Sequence, residues 1–497
     1  MGTIRLQSNG VDFDHDRNRA PGFDRATLWI DQIAVAFGLG LVPRRNRVTM
    51  TLETGSVTAL ANALKTLEKA FDGLPDYTPQ VDLEAIGAVL QQVAGRMHDN
   101  YPYPHPMYAG QMLKPPHPVA RMAYALAMWI NPNNHALDGG RASSAMEKEA
   151  VAAIAQMFGY GETYIGHLTT SGTIANLEAL WVGGQIRPGE LTVASSQAHY
   201  THARICGVLA LPFASVEVDD DARMDLNALE HLLKKGGVGT VVATLGTTGV
   251  GAVDPLHDIL GLRERYGFRV HVDSAYGGYF ALSDQLSHNA ARAFGSLSGA
   301  DSIVVDPHKH GLQPYGCGCV VFADPAVGAI YRHDSPYTYF TSSELHLGEI
   351  SLECSRAGAS AVALWATAQL MPLTKGGVFS NDLNKSLRAA RRFAQRLADD
   401  PRERLLLVPE LDIVVWAPDA GSATAMSQLS LAIFDAAAQQ GLHLATMKLP
   451  AALAARHWPD VEMDDDTVTC LRSCLMKPQH DDWLTRIWDA YQAARQH

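Results

Sequence analysis

The sequence predicts an α/β protein with a large domain built on a mostly parallel sheet and a smaller α+β domain at the C-terminus. Short apolar strands are predicted at residues 191–194, 239–245, 268–272 and 302–305, and helical stretches separate them. Strands and helices that alternate in this way are typical of βαβ units, in which helices cover both faces of a parallel sheet. With 497 residues, 47% of them hydrophobic, the chain can bury a core large enough for two or three domains.

The N-terminal segment, which precedes the alternating strands and helices, is expected to be helical. Apolar residues recur at helical spacing from Leu60 to Phe71 and again from Leu83 to Met97. Residues 1–105 have little core of their own, so we expect this segment to pack on another subunit or domain rather than fold alone.

The following elements define two domains. The large domain is expected over residues 106–375, with a helix at 144–158, because Ser144 and Glu147 have the spacing of a capping box. The small domain is expected over residues 376–497. Its predicted elements are an amphipathic helix at 381–397, strands at 411–416 and 467–475, and a final helix at 482–494.

The charge balance and the cysteines argue against several classes of protein. Asp and Glu number 52 against 40 Lys and Arg, a net charge of −12, so no nucleic-acid or anionic-membrane partner is expected. No apolar stretch reaches the length of a membrane span. Six cysteines, several within apolar runs, favour reduced thiols in a cytoplasmic protein. Cys317 and Cys319 lack a second ligand pair, so no metal site is expected.

Lys309 lies just beyond the predicted strand 302–305. Pro307 cannot donate a ladder hydrogen bond, so the strand ends there and presents Lys309 at its carboxyl end. Two interpretations are open. The lysine is either an ordinary solvated residue, or an amine held in a pocket where a depressed pKa makes it a nucleophile that can form a Schiff base.

Polar residues follow the other predicted strands, and the carboxyl ends of parallel strands meet at one edge of a sheet. Asp273 either caps a turn or faces a protonated ring nitrogen, and His199 either starts a helix or stacks on a planar cofactor. Residues 169–177 contain hydroxyls and a glycine at a helix start, which either cap the helix or bind a phosphate. Residues 246–249 place two more hydroxyls at this edge.

Taken together and in order, these motifs resemble those of the pyridoxal-phosphate-dependent group II amino acid decarboxylases, which include aromatic amino acid, glutamate, histidine and archaeal tyrosine/aspartate decarboxylases. The likeness extends over about residues 105–375. The motifs that carry it are TSGTIANL, SSQAHY, ATLGTTGVGAVDP, HVDSAYGG and VDPHKHG. The resemblance implies the fold type I (aspartate aminotransferase-like) architecture and pyridoxal 5'-phosphate as cofactor. It also implies a homodimer with its active site at the interface, and an L-amino acid substrate converted to amine and carbon dioxide.

The resemblance also implies roles for single residues. Lys309 would form the Schiff base, Asp273 would face the pyridine nitrogen, His199 would stack on the ring and Ala275 would pack on its other face. Thr247 would lie near the ring hydroxyl. The residues expected to bind the phosphate are Ser171, Gly172, Thr173 and His308.

Two further roles come from the same resemblance. Arg356, in the sequence Ser-Arg-Ala-Gly, would receive the substrate carboxylate. A loop at residues 333–348 would supply the acid that protonates the substrate carbon, with Tyr337 slightly favoured over Tyr339.

Three other functions are compatible with these residues: two other enzyme activities and a role without catalysis. The lysine segment is also similar to that of the sphingosine-phosphate lyases, which are aldehyde-lyases. A relative of the decarboxylases can instead be an oxygen-using aldehyde synthase, and a homologue can bind the cofactor without catalysis. The sequence leaves aromatic, acidic and diamino acids open as substrates.

Overall fold

The computed structural model describes residues 52–332 and 345–496. The described residues divide into two compact units, one that contains residues 74–97 and one that contains residues 52–73, 98–332 and 345–496. The helical stripes predicted for the N-terminal segment are confirmed as helices. The helices that precede the sheet are α1 (Ser56–Glu68), α2 (Leu83–Met97), α3 (Pro118–Met128) and α4 (Leu137–Met157).

A seven-stranded sheet forms the centre of the large domain. Its strands are β1 (Ile165–Thr169), β2 (Leu191–Ser195), β3 (Phe213–Val216), β4 (Val238–Thr244), β5 (Arg269–Asp273), β6 (Ser302–Val305) and β7 (Gly318–Phe322). The order across the sheet is β1-β7-β6-β5-β4-β2-β3. The pairs from β6 to β3 are parallel, whereas β7 is antiparallel to both β6 and β1. The predicted α/β class with a mostly parallel sheet is therefore confirmed.

The four strands predicted from sequence correspond to β2, β4, β5 and β6. Every residue of β4 and β6 is buried, as expected for parallel strands covered on both faces. Val241, Val270 and Ile303 are fully buried at the centre of the core. The helices that follow in the large domain are α5 (Gly172–Ile186), α6 (Thr201–Val208), α7 (Leu226–Leu233), α8 (Leu256–Tyr266), α9 (His288–Gly295), α10 (Gly328–Tyr331) and α11 (Gly358–Leu370).

The predicted small α+β domain contains a separate antiparallel sheet, in which β10 (Ala445–Pro450), β11 (Thr467–Cys474), β9 (Ile413–Pro418) and β8 (Glu403–Leu405) lie side by side in that order. Phe393, Trp416 and Tyr491 form its buried aromatic centre, where the Trp416 indole donates to the Tyr491 hydroxyl over 2.9 Å. Its elements are α12 (Val378–Ala398), β8 (Glu403–Leu405), β9 (Ile413–Pro418), α13 (Ala423–Gln439), β10 (Ala445–Pro450), α14 (Ala451–His457), β11 (Thr467–Cys474) and α15 (Gln479–Ala494).

The helix start predicted at Ser144 is wrong. Helix α4 begins at Leu137, departs from helical dihedral angles only at Gly140, and continues through Ser144, which is buried. Glu147 does not close a capping box, because its carboxylate accepts hydrogen bonds from the backbone N–H of Leu168 and from the guanidinium of Arg356. In the described part of the chain, no helix is both long and apolar enough to cross a membrane.

Candidate active site

A cavity of about 220 Å³ lies where the carboxyl ends of β2, β4, β5 and β6 meet, the edge at which parallel sheets of this kind bind ligands. Most of the polar residues singled out in the sequence contribute to its walls. The lining residues are Ser171, Gly172, Thr173, Asn176, His199, Thr201, Thr244, Gly246, Thr248, Asp273, Ala275, Tyr276, Asp306, His308 and Lys309.

Lys309 projects into this cavity from the segment after β6. Its Nζ lies 3.0 Å from Oδ2 of Asp306, which is almost fully buried, and the lysine side chain is 21% exposed. The backbone N–H of Lys309 also donates to the carbonyl of Asp306, which closes a tight turn after the strand. The amine is therefore held in a pocket beside a carboxylate and is not a freely solvated surface lysine.

Asp273 is the last residue of β5, and both of its carboxylate oxygens accept hydrogen bonds. Oδ2 lies 2.9 Å from Nε2 of His202, and Oδ1 accepts from the backbone N–H of Ala275 over 3.0 Å. Burial by itself would raise the pKa of Asp273, but the hydrogen bonds from His202 and from the N–H of Ala275, together with the attraction of Lys309, hold it below its usual value. The side chain is a fixed anion, suited to a cationic partner in the cavity.

His199 lies on the cavity wall just before α6. The backbone N–H of Thr201 donates to Nδ1 of His199 over 3.3 Å, and the Thr201 hydroxyl lies 2.5 Å from the same nitrogen. Nδ1 is therefore the acceptor of the ring. Burial lowers the pKa of His199, so its imidazole is neutral and orientated by Thr201, which suits it to pack against a flat group.

The start of α5 forms another wall. The Ser171 hydroxyl caps the helix by accepting from the N–H of Ile174 over 3.3 Å. The N–H groups of Gly172 and Thr173, in the first turn, have no acceptor within the helix, which makes this end attractive to an anion. His308 lies beside it and donates from Nδ1 to the Cys317 carbonyl over 2.7 Å.

Two predicted site residues do not line the cavity. The Thr247 hydroxyl accepts from the N–H of Ala252 over 3.0 Å in a fully buried position, whereas Thr248 lines the cavity. Arg356 is buried against Glu147, with Nη1 2.7 Å from Oε1. The role of Arg356 in binding a substrate carboxylate stays a prediction.

Arg356 is also bound by backbone groups. Its guanidinium donates to the carbonyl of Leu168 over 2.6 Å and to that of Asn134 over 3.4 Å. The two loop tyrosines, Tyr337 and Tyr339, lie outside the described residues.

Sequence reasoning gave no role to several polar residues of the cavity wall, among them Thr244 and Asp306, or to His202, which lies behind the wall. Thr244 and Asp306 follow the rule used for the others, since each stands at or just beyond the carboxyl end of a central strand. His202 has no such signal. It follows His199 by three residues, one helical turn, and only the folded chain shows that it reaches Asp273.

A family model for the pyridoxal-dependent decarboxylase conserved domain matches residues 119–417, more than half of the chain. The chain belongs to the pyridoxal-dependent decarboxylase family. The L-tyrosine decarboxylase of Enterococcus faecium is 28% identical over 438 residues, covering 66% of this chain and 71% of the relative. The L-aspartate decarboxylase of Thermococcus kodakarensis is 27% identical over 336 residues, covering 67% and 84%. This membership confirms the expected enzyme class, a pyridoxal-phosphate-dependent carboxy-lyase that acts on an amino acid.

Solved structures support the fold of this decarboxylase. The crystal structure of mouse CSAD superposes with a TM-score of 0.72 at 18% sequence identity and covers 94% of this chain and 99% of that chain. The structure of Oryza sativa TDC with PLP and tryptamine gives a TM-score of 0.71 at 16% identity, covering 90% and 99%. At these identities the likeness establishes the fold type I architecture alone.

The cavity of the decarboxylase fits pyridoxal phosphate. Asp273 offers a buried carboxylate to a ring nitrogen, and the start of α5 offers unpaired N–H groups to a phosphate. The hydroxyl oxygen of Thr244 is buried and has no hydrogen-bond partner among the described residues, so it remains available to a polar ligand. Lys309 supplies a primary amine. Within residues 52–332 and 345–496, no group of three or more His, Cys, Asp or Glu side chains could hold a metal ion.

Proposed function

We propose that the cavity at the carboxyl ends of β2, β4, β5 and β6 is the active site of this decarboxylase, and that Lys309 is its cofactor lysine. The observation that supports this proposal most directly is the shared cavity itself. The Lys309 amine, the Asp273 carboxylate and the His199 ring come from three separate strand ends and line one space of about 220 Å³.

Each of these side chains has a separate task in the proposed reaction. Pyridoxal phosphate, when bound, supplies the electron sink that accepts the electron pair of the bond to the departing carboxylate. Asp273, as a fixed anion, would keep a ring nitrogen protonated, and the imidazole of His199, oriented by Thr201, would pack on the ring face. Lys309 would hold the cofactor through its primary amine, and this amine would be available to hold it again once the product amine has left.

The phosphate is proposed to lie at the start of α5, on the backbone of Gly172 and Thr173. Ser171 and His308 border the same end of the cavity, and Ala275 lines it beside Asp273. A dianion is stabilised there by unpaired N–H groups and by the helix dipole.

The substrate is proposed to be an aromatic or acidic L-amino acid. The relatives that match this chain are named as L-tyrosine and L-aspartate decarboxylases, and both amino acids can be tested directly as substrates.

We further propose a homodimer whose active site lies at the interface, with the N-terminal helical segment packed on the partner. We also propose a cytoplasmic location. Light scattering of the purified protein tests the dimer, and cell fractionation tests the cytoplasmic location.

The decisive experiment uses purified protein loaded with pyridoxal phosphate. L-tyrosine, L-aspartate, L-glutamate and L-tryptophan are supplied in turn, and carbon dioxide, amine, aldehyde and peroxide are measured. Equal amounts of carbon dioxide and amine support the proposal, whereas aldehyde with peroxide indicates an aldehyde synthase.

A labelling experiment tests the lysine. Borohydride should fix the cofactor to the peptide that contains Lys309, and Lys309→Ala should lose both the label and turnover. Label on another lysine would remove Lys309 from the role.

A further inference from the structure

His202 is buried behind Asp273 and does not line the cavity. Its side chain is 1% exposed, and its Nε2 lies 2.9 Å from Oδ2 of Asp273, whose own side chain is 7% exposed. Asp273 faces the cavity, while His202 stands in the first turn of α6 on the protein side of the carboxylate. Any effect of His202 on a bound group must therefore pass through Asp273.

The contacts of Asp273 fix the plane of its carboxylate. One oxygen accepts from Nε2 of His202 and the other from the N–H of Ala275, so the carboxylate cannot rotate without breaking a hydrogen bond. The Ala275 bond comes from the next turn of the same chain segment. The His202 bond comes from a different element, α6, and ties the end of β5 to it. Without His202 the carboxylate keeps only a local contact.

The second ring nitrogen of His202 shows which form of the imidazole is present. Nδ1 is buried and has no hydrogen-bond partner among the described residues. A proton on Nδ1 would leave a buried N–H without an acceptor, which is costly. Nε2 therefore carries a proton, and it donates this proton to Oδ2 of Asp273.

We propose that His202 is a positioning residue that holds the Asp273 carboxylate in the orientation needed to face the cofactor ring nitrogen. This inference rests on the proposed role of Asp273 and adds a residue that no sequence motif indicated. A hydrogen-bond donor of this kind orientates the group that touches the ligand and does not touch the ligand itself.

The structure also contains a matched control. His167 and Glu178 form another buried histidine–carboxylate pair, with Nε2 2.9 Å from Oε2 and side-chain exposures of 1% and 0%. Neither residue lines the cavity. Substitution of His167 removes the same kind of buried hydrogen bond and leaves Asp273 untouched.

The experiment compares His202→Phe, which removes the donor, with His202→Gln, whose amide can place a donor near Nε2. The readouts are the dissociation constant of pyridoxal phosphate by equilibrium dialysis and the visible absorption band of the bound cofactor. We expect the Phe variant to bind the cofactor roughly tenfold or more weakly, with an altered band, because a hydrogen bond to a charged group is lost. The Gln variant should recover most of both.

His167→Phe should lower the thermal midpoint without changing either cofactor readout. If His202→Phe binds the cofactor with normal affinity and a normal band while Asp273→Asn does not, the positioning role is wrong. If Asp273→Asn is also normal, the proposed role of Asp273 fails instead. His202→Met, which also lacks a donor, replaces the Phe variant if that protein does not fold.

Discussion

Gly172 faces the carboxylate of Asp306 at the edge of the cavity. A Cβ added to Gly172 would lie 2.6 Å from both carboxylate oxygens of Asp306, closer than side-chain atoms approach in folded proteins. The same carboxylate holds Lys309 through a 3.0 Å contact. The absence of a side chain at 172 therefore lets the start of α5, the carboxylate and the lysine occupy one small space.

Gly172→Ala should weaken binding of pyridoxal phosphate by roughly tenfold or more. The new methyl group must displace either Asp306 or the first turn of α5, and overpacking of this kind costs about 1–3 kcal/mol. Equilibrium dialysis measures the affinity. Gly261→Ala is the control, because a Cβ at Gly261 in α8 meets nothing within 4 Å. Equal affinity in both variants would show that the cofactor does not use this edge.

Arg356 and Glu147 should prove important for stability. Both side chains are buried, and removing one partner leaves the other as an uncompensated charge. We expect Arg356→Met to lower the free energy of unfolding of the apoprotein by about 3–5 kcal/mol, measured by urea denaturation. Arg388→Met, at a pair that is partly exposed to solvent, should cost about 1 kcal/mol or less.

The same variant separates stability from substrate binding. The double substitution Arg356→Met with Glu147→Met should recover part of the lost stability, because no buried charge remains. If Arg356→Met instead keeps the wild-type unfolding free energy and raises only KM, the arginine receives the substrate carboxylate, as the family resemblance implies, and the structural role is wrong.

The central strands were predictable because each is buried on both faces and therefore appears in the sequence as an uninterrupted apolar run. The shared location of Lys309 and Asp273 was also predictable, because the carboxyl ends of parallel strands meet at one edge of the sheet. Strands β1 and β3 were not predicted. Strand β3 is four residues long and mostly not buried, and β1 contains His167, whose buried pairing with Glu178 interrupts the apolar pattern.

Features that depend on tertiary contacts could not be predicted from local sequence. Ser144 and Glu147 have the spacing of a helix cap, but Glu147 binds Arg356, 209 residues away in the sequence. His202 reaches Asp273 across 71 residues. Contacts between residues this far apart in the sequence leave no local periodicity or spacing. The roles of these side chains are therefore visible only in the folded chain.

The proton donor of the reaction is tested by Tyr337→Phe and Tyr339→Phe. Loss of the true acid should leave substrate binding intact but slow the formation of amine, and part of the product should appear as aldehyde with peroxide and ammonia, because the unprotonated substrate carbon is exposed to oxygen. The ratio of amine to aldehyde is measured for each variant. If neither substitution changes the rate or this ratio, both tyrosines are excluded, and His199 is the next residue to test.

Lys477 gives the protein a distinctive dependence of stability on pH. Its amine is buried and donates to the Tyr108 carbonyl over 2.6 Å. Burial, reinforced by repulsion from Lys114, lowers the pKa of Lys477 to about 7. Below that pH the lysine is charged in both states, and the folded state bears the cost of the buried ammonium. At higher pH, up to the pKa of a free lysine, only the unfolded chain keeps the proton.

Stability contributed by this site should therefore rise with pH between about 7 and 10, by at most about 1.4 kcal/mol per pH unit. Lys477→Met should remove this rise, since methionine fills a similar volume and does not titrate. Urea denaturation at half-unit pH steps gives the slope for each protein, and the difference between wild type and variant isolates Lys477 from Lys114, which both proteins keep. Lys448→Met, at an exposed position on β10, should keep the wild-type slope. Identical slopes for wild type and Lys477→Met would mean that Lys477 stays protonated in the folded protein and that the Tyr108 carbonyl is sufficient to hold the charge.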